Sequence, residues 1–567
     1  KGAGRDWARS TVVSAQSPVD TLIAVVAAYE DGASFDYTFD GGDITNTIVA
    51  PTSLQRVYPG TFDDPGSFIV RMLVEGPAGL TPAGEMKRSI MGLATENFYV
   101  KVGTNRATVK NSCYADAEYW LWVDAPKQLS NDVYDLVVSL CDDEQHTTVS
   151  PDSVHYGEFQ VNHVVVLDNS GSMDDPPGET KLEAAKDAAQ LYVAAISDDD
   201  RFGFVKFSGD GSEPNEDASA VPTNTLLAAN PISRALFIWG IELVAPANMT
   251  SIGDGIWAGQ NLIATAPPTN KIPINTIILL SDGMENEYRM WNRTNGVAPG
   301  TTLREYMSAT NTVISAVAFG ADADQGLLQD ISDATAGHYG YAGVSDTSGV
   351  AALTWPNALT ESFIDGLTHV KGLDRITLDW GNIPSNSSVT STAVVQEASV
   401  TDGVFYFNWD KPGAITNVLF YDPASNLVDT ASASIYTGAT FRTYHMSNAV
   451  GPGIYRAVLQ SGPDPQYVAG LLGRPSNQVH VVLALSRILT SDRQDLDSDG
   501  LLRERYQQGI PVEIVAMVMD RDGPVTGAVA ALSVTLPNGA QACGPLFLRD
   551  DGKHGDGLPD IGVYADA

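Results

Sequence analysis

Residues 161–172 read VNHVVVLDNSGS, and the change of character within this string decides the fold. Val161–Leu167 is a nearly continuous apolar run of strand length, the pattern of a strand covered on both faces. At Asp168 it gives way to Asn, Ser and Gly, residues that favour a turn. Beyond the turn, Thr180 and Glu183 have the spacing of a capping box. From Lys181 to Ile196, Leu182, Ala185, Ala189, Tyr192, Val193 and Ile196 then fall on one helical stripe. Strand, polar turn and amphipathic helix make one unit of a parallel sheet covered by helices.

Outward from this unit the pattern repeats. Further strands are predicted at Arg201–Ser208, Asn275–Ser281, Thr312–Gly320 and His338–Ala342, and helices at Gly253–Ala266, Leu303–Ala309, Gln325–Thr335 and Asn357–Leu367. Residues 160–372 therefore read as a doubly wound α/β domain. Residues 1–159 show short alternating runs such as Phe68–Val74, Asn97–Val102, Tyr119–Val123 and Val133–Leu140 between Gly, Pro and Asp clusters, an all-β pattern. Beyond Gly372 this pattern returns in two blocks, 373–475 and 476–567. Val404–Trp409, Asn417–Tyr421 and Ile454–Leu459 are strands of the first, and Val479–Leu485, Val512–Asp520 and Val529–Leu536 of the second. Both read as antiparallel sandwiches, although the α/β domain could equally be an insertion in one sandwich built from both sides.

The chain has 567 residues, with 69 acidic against 33 basic residues and a formal charge of −36. Such a balance disfavours nucleic acid and anionic membrane surfaces as partners and suits cations. No apolar stretch reaches the length of a membrane span. The sequence begins at Lys1 without an apolar leader, which fits a processed export product or a fragment. Of three cysteines, Cys113 and Cys141 have the spacing of a bridge within one β region, the expectation for a secreted or cell-surface protein.

Chemistry concentrates in three loops. Asp168, Ser170 and Ser172 follow the first strand at the carboxyl edge of the parallel sheet, where open α/β sheets bind ligands. Thr250 stands in NMTSIGDGI before a helix, and Asp282 in ILLSDG after a strand. Two carboxylates and three hydroxyls are hard oxygen donors suited to Mg²⁺, Mn²⁺ or Ca²⁺. This Asp-x-Ser-x-Ser, Thr and Asp set resembles the metal-ion-dependent adhesion site of von Willebrand factor A domains. The resemblance implies a Rossmann-like domain that binds a protein or surface ligand through its metal, the partner supplying an acidic residue.

The wider order also resembles the calcium-activated chloride channel regulator family and its prokaryotic relatives. NVLFYDPASNLV, GIYRAVL, GPVTGAVAALSVTLPNG and LRDDGKHGDGLPDIGVYAD carry this likeness. It implies that the flanking sandwiches are of the immunoglobulin or fibronectin type III kind, and that the family pattern continues past Ala567. Animal members carry an HExxH protease motif, whereas none of the eight histidines here lies in one. Proteolysis does not carry over, and no nucleophile and base stand in a recognisable motif elsewhere. An enzyme would need a site within the first 159 residues.

DLDSDG, with Asp495, Asp497 and Asp499, has the first half of an EF-hand calcium loop but Tyr506 at the twelfth position. It reads as either an additional Ca²⁺ site or a solvated acidic linker. Asp550, Asp551, Asp556 and Asp560 present the same choice. His163 within the first strand reads as a core residue. The expected function is extracellular, divalent-cation-dependent adhesion or ligand binding. The rival is a self-assembling structural subunit of a surface layer or fibre with a structural metal.

Overall fold

The computed structural model describes residues 45–475 apart from 54–55, 82–83, 90–92, 116–117, 141–145, 176–179, 210–216, 248, 287–288, 295–299, 321 and 344–352, together with short strands on either side of that range. Contacts divide the chain into two units: residues 159–478 with 534–542, and residues 1–158 with 479–533 and 543–567.

The first of these units begins with the α/β region. Its elements are β1 (Phe159–Asp168), α1 (Lys181–Ala195), β2 (Arg201–Phe207), β3 (Ala218–Ala220), β4 (Leu227–Ala228), α2 (Pro231–Glu242), α3 (Ile252–Ile263), β5 (Ile272–Ser281), α4 (Leu303–Ser308), β6 (Thr312–Phe319), α5 (Gln325–Ala334), β7 (Tyr339–Ala342) and α6 (Trp355–Lys371). Among the described residues the sheet order is β3-β2-β1-β5-β6-β7, with β4 also on β2. Strands β2, β1, β5, β6 and β7 run parallel, and β3 and β4 are antiparallel to β2.

From β1 the chain steps to β2 on one side and later to β5 on the other. The order therefore reverses about β1, and its carboxyl end, at Asp168, is a topological switch point. The all-apolar strands have a physical reason. One face of the sheet packs under α1, α2 and α6 through residues such as Val165, Leu167 and Ile278, the other under α3, α4 and α5 through Val164, Val166 and Ile277.

All five sequence-predicted helices form, shifted by a few residues at their ends. Thr180 caps α1 by accepting a hydrogen bond from Glu183 N at 3.2 Å. The Glu183 carboxylate turns to Lys186 Nζ at 2.8 Å, so the hydroxyl half of the expected capping box is what the helix start displays. Helix α2 was not foreseen. Asn230 caps it, its side chain accepting from Ile232 N and Ser233 N, and Pro231 opens its first turn.

The next eight strands are β8 (Asp374–Asn382), β9 (Ser388–Val395), β10 (Val400–Trp409), β11 (Ile415–Tyr421), β12 (Ala433–Thr437), β13 (Phe441–Met446), β14 (Gly453–Ser461) and β15 (Gln466–Pro475). They form two antiparallel sheets, β8-β15-β10-β13-β12 and β9-β14-β11. Phe405, Phe407, Phe420, Tyr455 and Leu459 fill the space between them. The outer face of the larger sheet is covered as well. Val404, Tyr406, Phe441, Val468 and Leu472 join Tyr192, Phe363 and Leu367 of α1 and α6 in one core.

Polar side chains also meet across that seam. The Tyr406 hydroxyl donates to Glu361 Oε2 at 3.0 Å, Asn408 Nδ2 to Asn357 Oδ1 at 2.8 Å, and His445 Nε2 approaches Ala194 O at 2.6 Å. The α/β region and the following sheets thus fold as one body.

In the second unit, two sheets share a core. One contains Thr45–Ala50, Ser67–Thr81, Glu118–Asp124 and Thr108–Ala115, the other Val57–Gly60, Thr147–Tyr156, Val133–Leu140 and Phe98–Val102. Val70, Met72, Leu121, Leu136 and Val138 meet between them. Among the described residues the all-β reading of this stretch holds, while Cys141, and with it the expected bridge to Cys113, lies outside them.

Candidate metal centre

In-register pairing assembles the centre. Leu167 of β1 stands opposite Leu280 of β5, so Asp168 and Ser281 leave the sheet side by side. Ser281 Oγ donates to Asp168 Oδ2 at 2.6 Å, and Ser170 N donates to Asp168 Oδ1 at 2.7 Å. Ser170 Oγ and Ser172 Oγ are 3.2 Å apart, and Ser172 Oγ donates to Asp282 Oδ1 at 2.8 Å.

Two contacts bring up the third loop. Asn169 Nδ2 donates to Ala245 O at 2.8 Å, and Ala247 N donates to Asn169 O at 2.6 Å, which ties the approach to Thr250 against the first loop. Thr250 N donates to Asn286 Oδ1 at 3.0 Å. At Gly283 a Cβ would lie 2.9 Å from Thr250 Oγ1, so a glycine is what lets the threonine approach the residue after Asp282. Asp168, Ser170, Ser172, Thr250 and Asp282 all converge on one end of the sheet.

Lys181 is the participant that the sequence reading missed. It opens α1, is 6% exposed, and its ammonium donates to Asp282 Oδ2 at 2.6 Å. Its signal is present but faint: a lysine at a helix amino terminus opposes the helix dipole, which usually places acids there. Ser281 was passed over as an ordinary strand residue.

Asp168 and Asp282 are fully buried. Burial, followed by the charge of Asp282, pushes the Asp168 carboxyl up to about 7, against the pull of hydrogen bonds from Ser281 and Ser170. A site in which a carboxylate resists ionisation is short of positive charge. Two carboxylates and one ammonium carry a formal charge of −1, and the remaining donors are hydroxyls. That set fits a hard divalent cation, and among the described residues no cluster of three or more His, Cys, Asp or Glu offers a competing site.

Residues 163–285 match the von Willebrand factor type A domain family. The chain carries a von Willebrand factor type A domain. Solved structures similar to the chain include a von Willebrand factor type A protein from Catenulispora acidiphila, 18% identical over 75% of this chain and 70% of that one, with a TM-score of 0.30. The pilus adhesin SpaC of Lactobacillus rhamnosus GG is 13% identical over 84% of this chain and 66% of its own, also at 0.30. Proximal thread matrix protein 1 of the mussel byssus is 16% identical over 37% of this chain and 45% of its own, at 0.26. This chain thus spans less than half of the mussel protein. Comparison with curated proteins finds no match.

His163 is fully buried, its Nδ1 2.8 Å from the Tyr192 hydroxyl and its Nε2 3.4 Å from Asp200 Oδ2. Asp495, Asp497 and Asp499, like Asp550, Asp551, Asp556 and Asp560, lie outside the described residues. Among the described residues no helix is long and apolar enough to cross a membrane.

Proposed function

We propose that the chain binds a protein or surface ligand outside the cell through a divalent cation, Mg²⁺ or alternatively Mn²⁺ or Ca²⁺, held by Asp168, Ser170, Ser172, Thr250 and Asp282. The observation that carries this reading is the convergence of five oxygen donors from three loops at the switch point of the sheet, with both carboxylates buried. When bound, the cation supplies an electrophilic position for an anionic oxygen of the partner. The chain's own residues do the rest. Asp168 and Asp282 offset the charge, Lys181 limits how far they do so, and the serines and Thr250 fill neutral positions.

An acidic side chain is the partner group that matches such a site on a chain of charge −36, where an unneutralised carboxylate is otherwise repelled. Met249 and Met284, both exposed, stand next to Thr250 and near Asp282 and give a partner apolar surface beside the centre. The β regions that follow the A domain, read as immunoglobulin- or fibronectin-like modules, act as spacers and supports in this account.

Titration of the whole chain with Mg²⁺ and Mn²⁺ by calorimetry tests the site. Asp168→Ala should abolish tight binding while lowering the Tm little, since the sheet core is built by other residues. Unchanged binding in that variant would sink the assignment. Partner capture should be lost in excess chelator, and removing the partner's acidic group should add nothing to the Asp168→Ala defect, because both changes delete one interaction.

A further inference from the structure

A cavity of about 270 Å³ opens between β3 and α3, on the flank of the A domain. It is lined by Asp254, Trp257, Ala258, Leu262 and Arg289 among others. Arg289 is 8% exposed, and its Nε and Nη1 are buried without any hydrogen-bond partner. Leaving charged donors unmade in the interior costs free energy, and a native structure keeps such a group where something else completes it.

The surroundings hold this arginine in place. Its guanidinium lies 4.9 Å from the centre of the Trp257 ring, which also packs against Tyr306. Its backbone is in the left-handed region, at φ 64°. The Arg289 carbonyl presses on α3 so closely that a Cβ at Gly253 would lie 1.4 Å from its oxygen. A strained residue that its neighbours over-determine is a common mark of a binding position.

Charge then selects the ligand. Asp254 Oδ1 stands 3.5 Å from Arg289 Nη1, near enough to pair electrostatically and too far for a good hydrogen bond. Its other oxygen accepts from Ser251 Oγ at 3.1 Å and Asp217 N at 3.2 Å, which fixes the carboxylate. A simple anion entering the cavity would meet Asp254, and a simple cation would meet Arg289. A molecule carrying both charges a few ångströms apart satisfies both, with Leu262 and Ala258 beside an aliphatic remainder. The volume lies just under the roughly 300 Å³ at which pockets for drug-sized molecules begin, which suits a smaller ligand.

We propose that this cavity binds a small zwitterion of the α-amino acid kind, its carboxylate on Arg289 and its ammonium toward Asp254. None of the five proposed metal donors lines the cavity, so the test runs on the full chain in excess chelator. Glycine, L-alanine and L-leucine serve as probes in calorimetry, with acetate and methylammonium as half-ligands. At least one amino acid should bind saturably and at least tenfold more tightly than either half-ligand. Arg289→Gln should weaken that binding tenfold or more. So should Ala258→Leu, which fills the cavity without touching the charged pair and decides the matter if Arg289→Gln lowers the Tm. Absence of binding by all three amino acids, acetate binding equal to theirs, or unchanged affinity in Ala258→Leu would each overturn the proposal.

Discussion

A lysine that is buried and opens a helix is placed against two preferences at once, and Lys181 accepts both because Asp282 Oδ2 is 2.6 Å away. Removing one partner of a buried ion pair typically costs about 3–5 kcal/mol, since the other charge is left behind. Lys181→Met should therefore lower stability without metal by about that amount. A divalent cation can take over the neutralisation of Asp282, so saturating Mg²⁺ should raise the Tm of this variant more than that of the parent chain. Equal Mg²⁺-induced shifts in a thermal melt would show that Lys181 does not share the centre's charge balance.

The five oxygen donors were legible because each falls at a fixed place relative to a strand end or a helix start. Lys181 and Ser281 were not, because they enter only through long-range geometry. Ser281 depends on the register between β1 and β5, and Lys181 on where the start of α1 lies relative to the end of β5.

Among the elements, α2 is the one that pattern reading overlooked. Its sequence PISRALFIWGIE is apolar nearly all round. Phe237 and Ile241 are buried, while Ile232 and Trp239 are 82% and 58% exposed, so hydrophobicity alone marks no inner face. Its anchor is a charged residue. Arg234, 3% exposed, donates from Nε to Val193 O at 3.0 Å and from Nη2 to Ile196 O at 2.7 Å, closing the carbonyls at the end of α1. Nη1 reaches Ala229 O, Asp198 and the Tyr436 hydroxyl. Arg234→Ala strands several of these acceptors and should cost about 3–4 kcal/mol in denaturant unfolding. Arg234→Lys should recover less than half, because an ammonium cannot reproduce the planar fork. Full recovery by lysine would mean that charge alone, not the fork, secures the end of α1.

Over the whole molecule, the change from α/β to all-β pattern near Gly372 was readable, but the shared core across it was not. One clue stood in the run GVFYFNW of β10, which lacks the alternation of a sheet with a wet face. Phe405 and Phe407 point to the partner sheet, and Tyr406 points toward α1 and α6. His445 lies in the same seam, and burial, reinforced by the Arg234 guanidinium, holds its imidazole down to about 4. The unfolded chain binds that proton near the ordinary histidine value of about 6.5, so this contribution to stability is full above that pH and is lost as pH falls toward 4. His445 is partly accessible, so the loss should be no more than about 2 kcal/mol. Melting curves between pH 7 and pH 4.5 should show the parent chain losing more stability than His445→Gln. Parallel curves would place the proton elsewhere.

The continuous core between α1, α6 and the larger β-sheet also bears on how such a chain can be rearranged by recombination. An A domain joined by a free linker can be moved between proteins as a cassette. Here a crossover after Lys371 would strip Tyr406, Phe441 and Leu472 from the helices they cover and leave an oily face on both products. The A domain and the sheets behind it are bound to be inherited, duplicated or lost together.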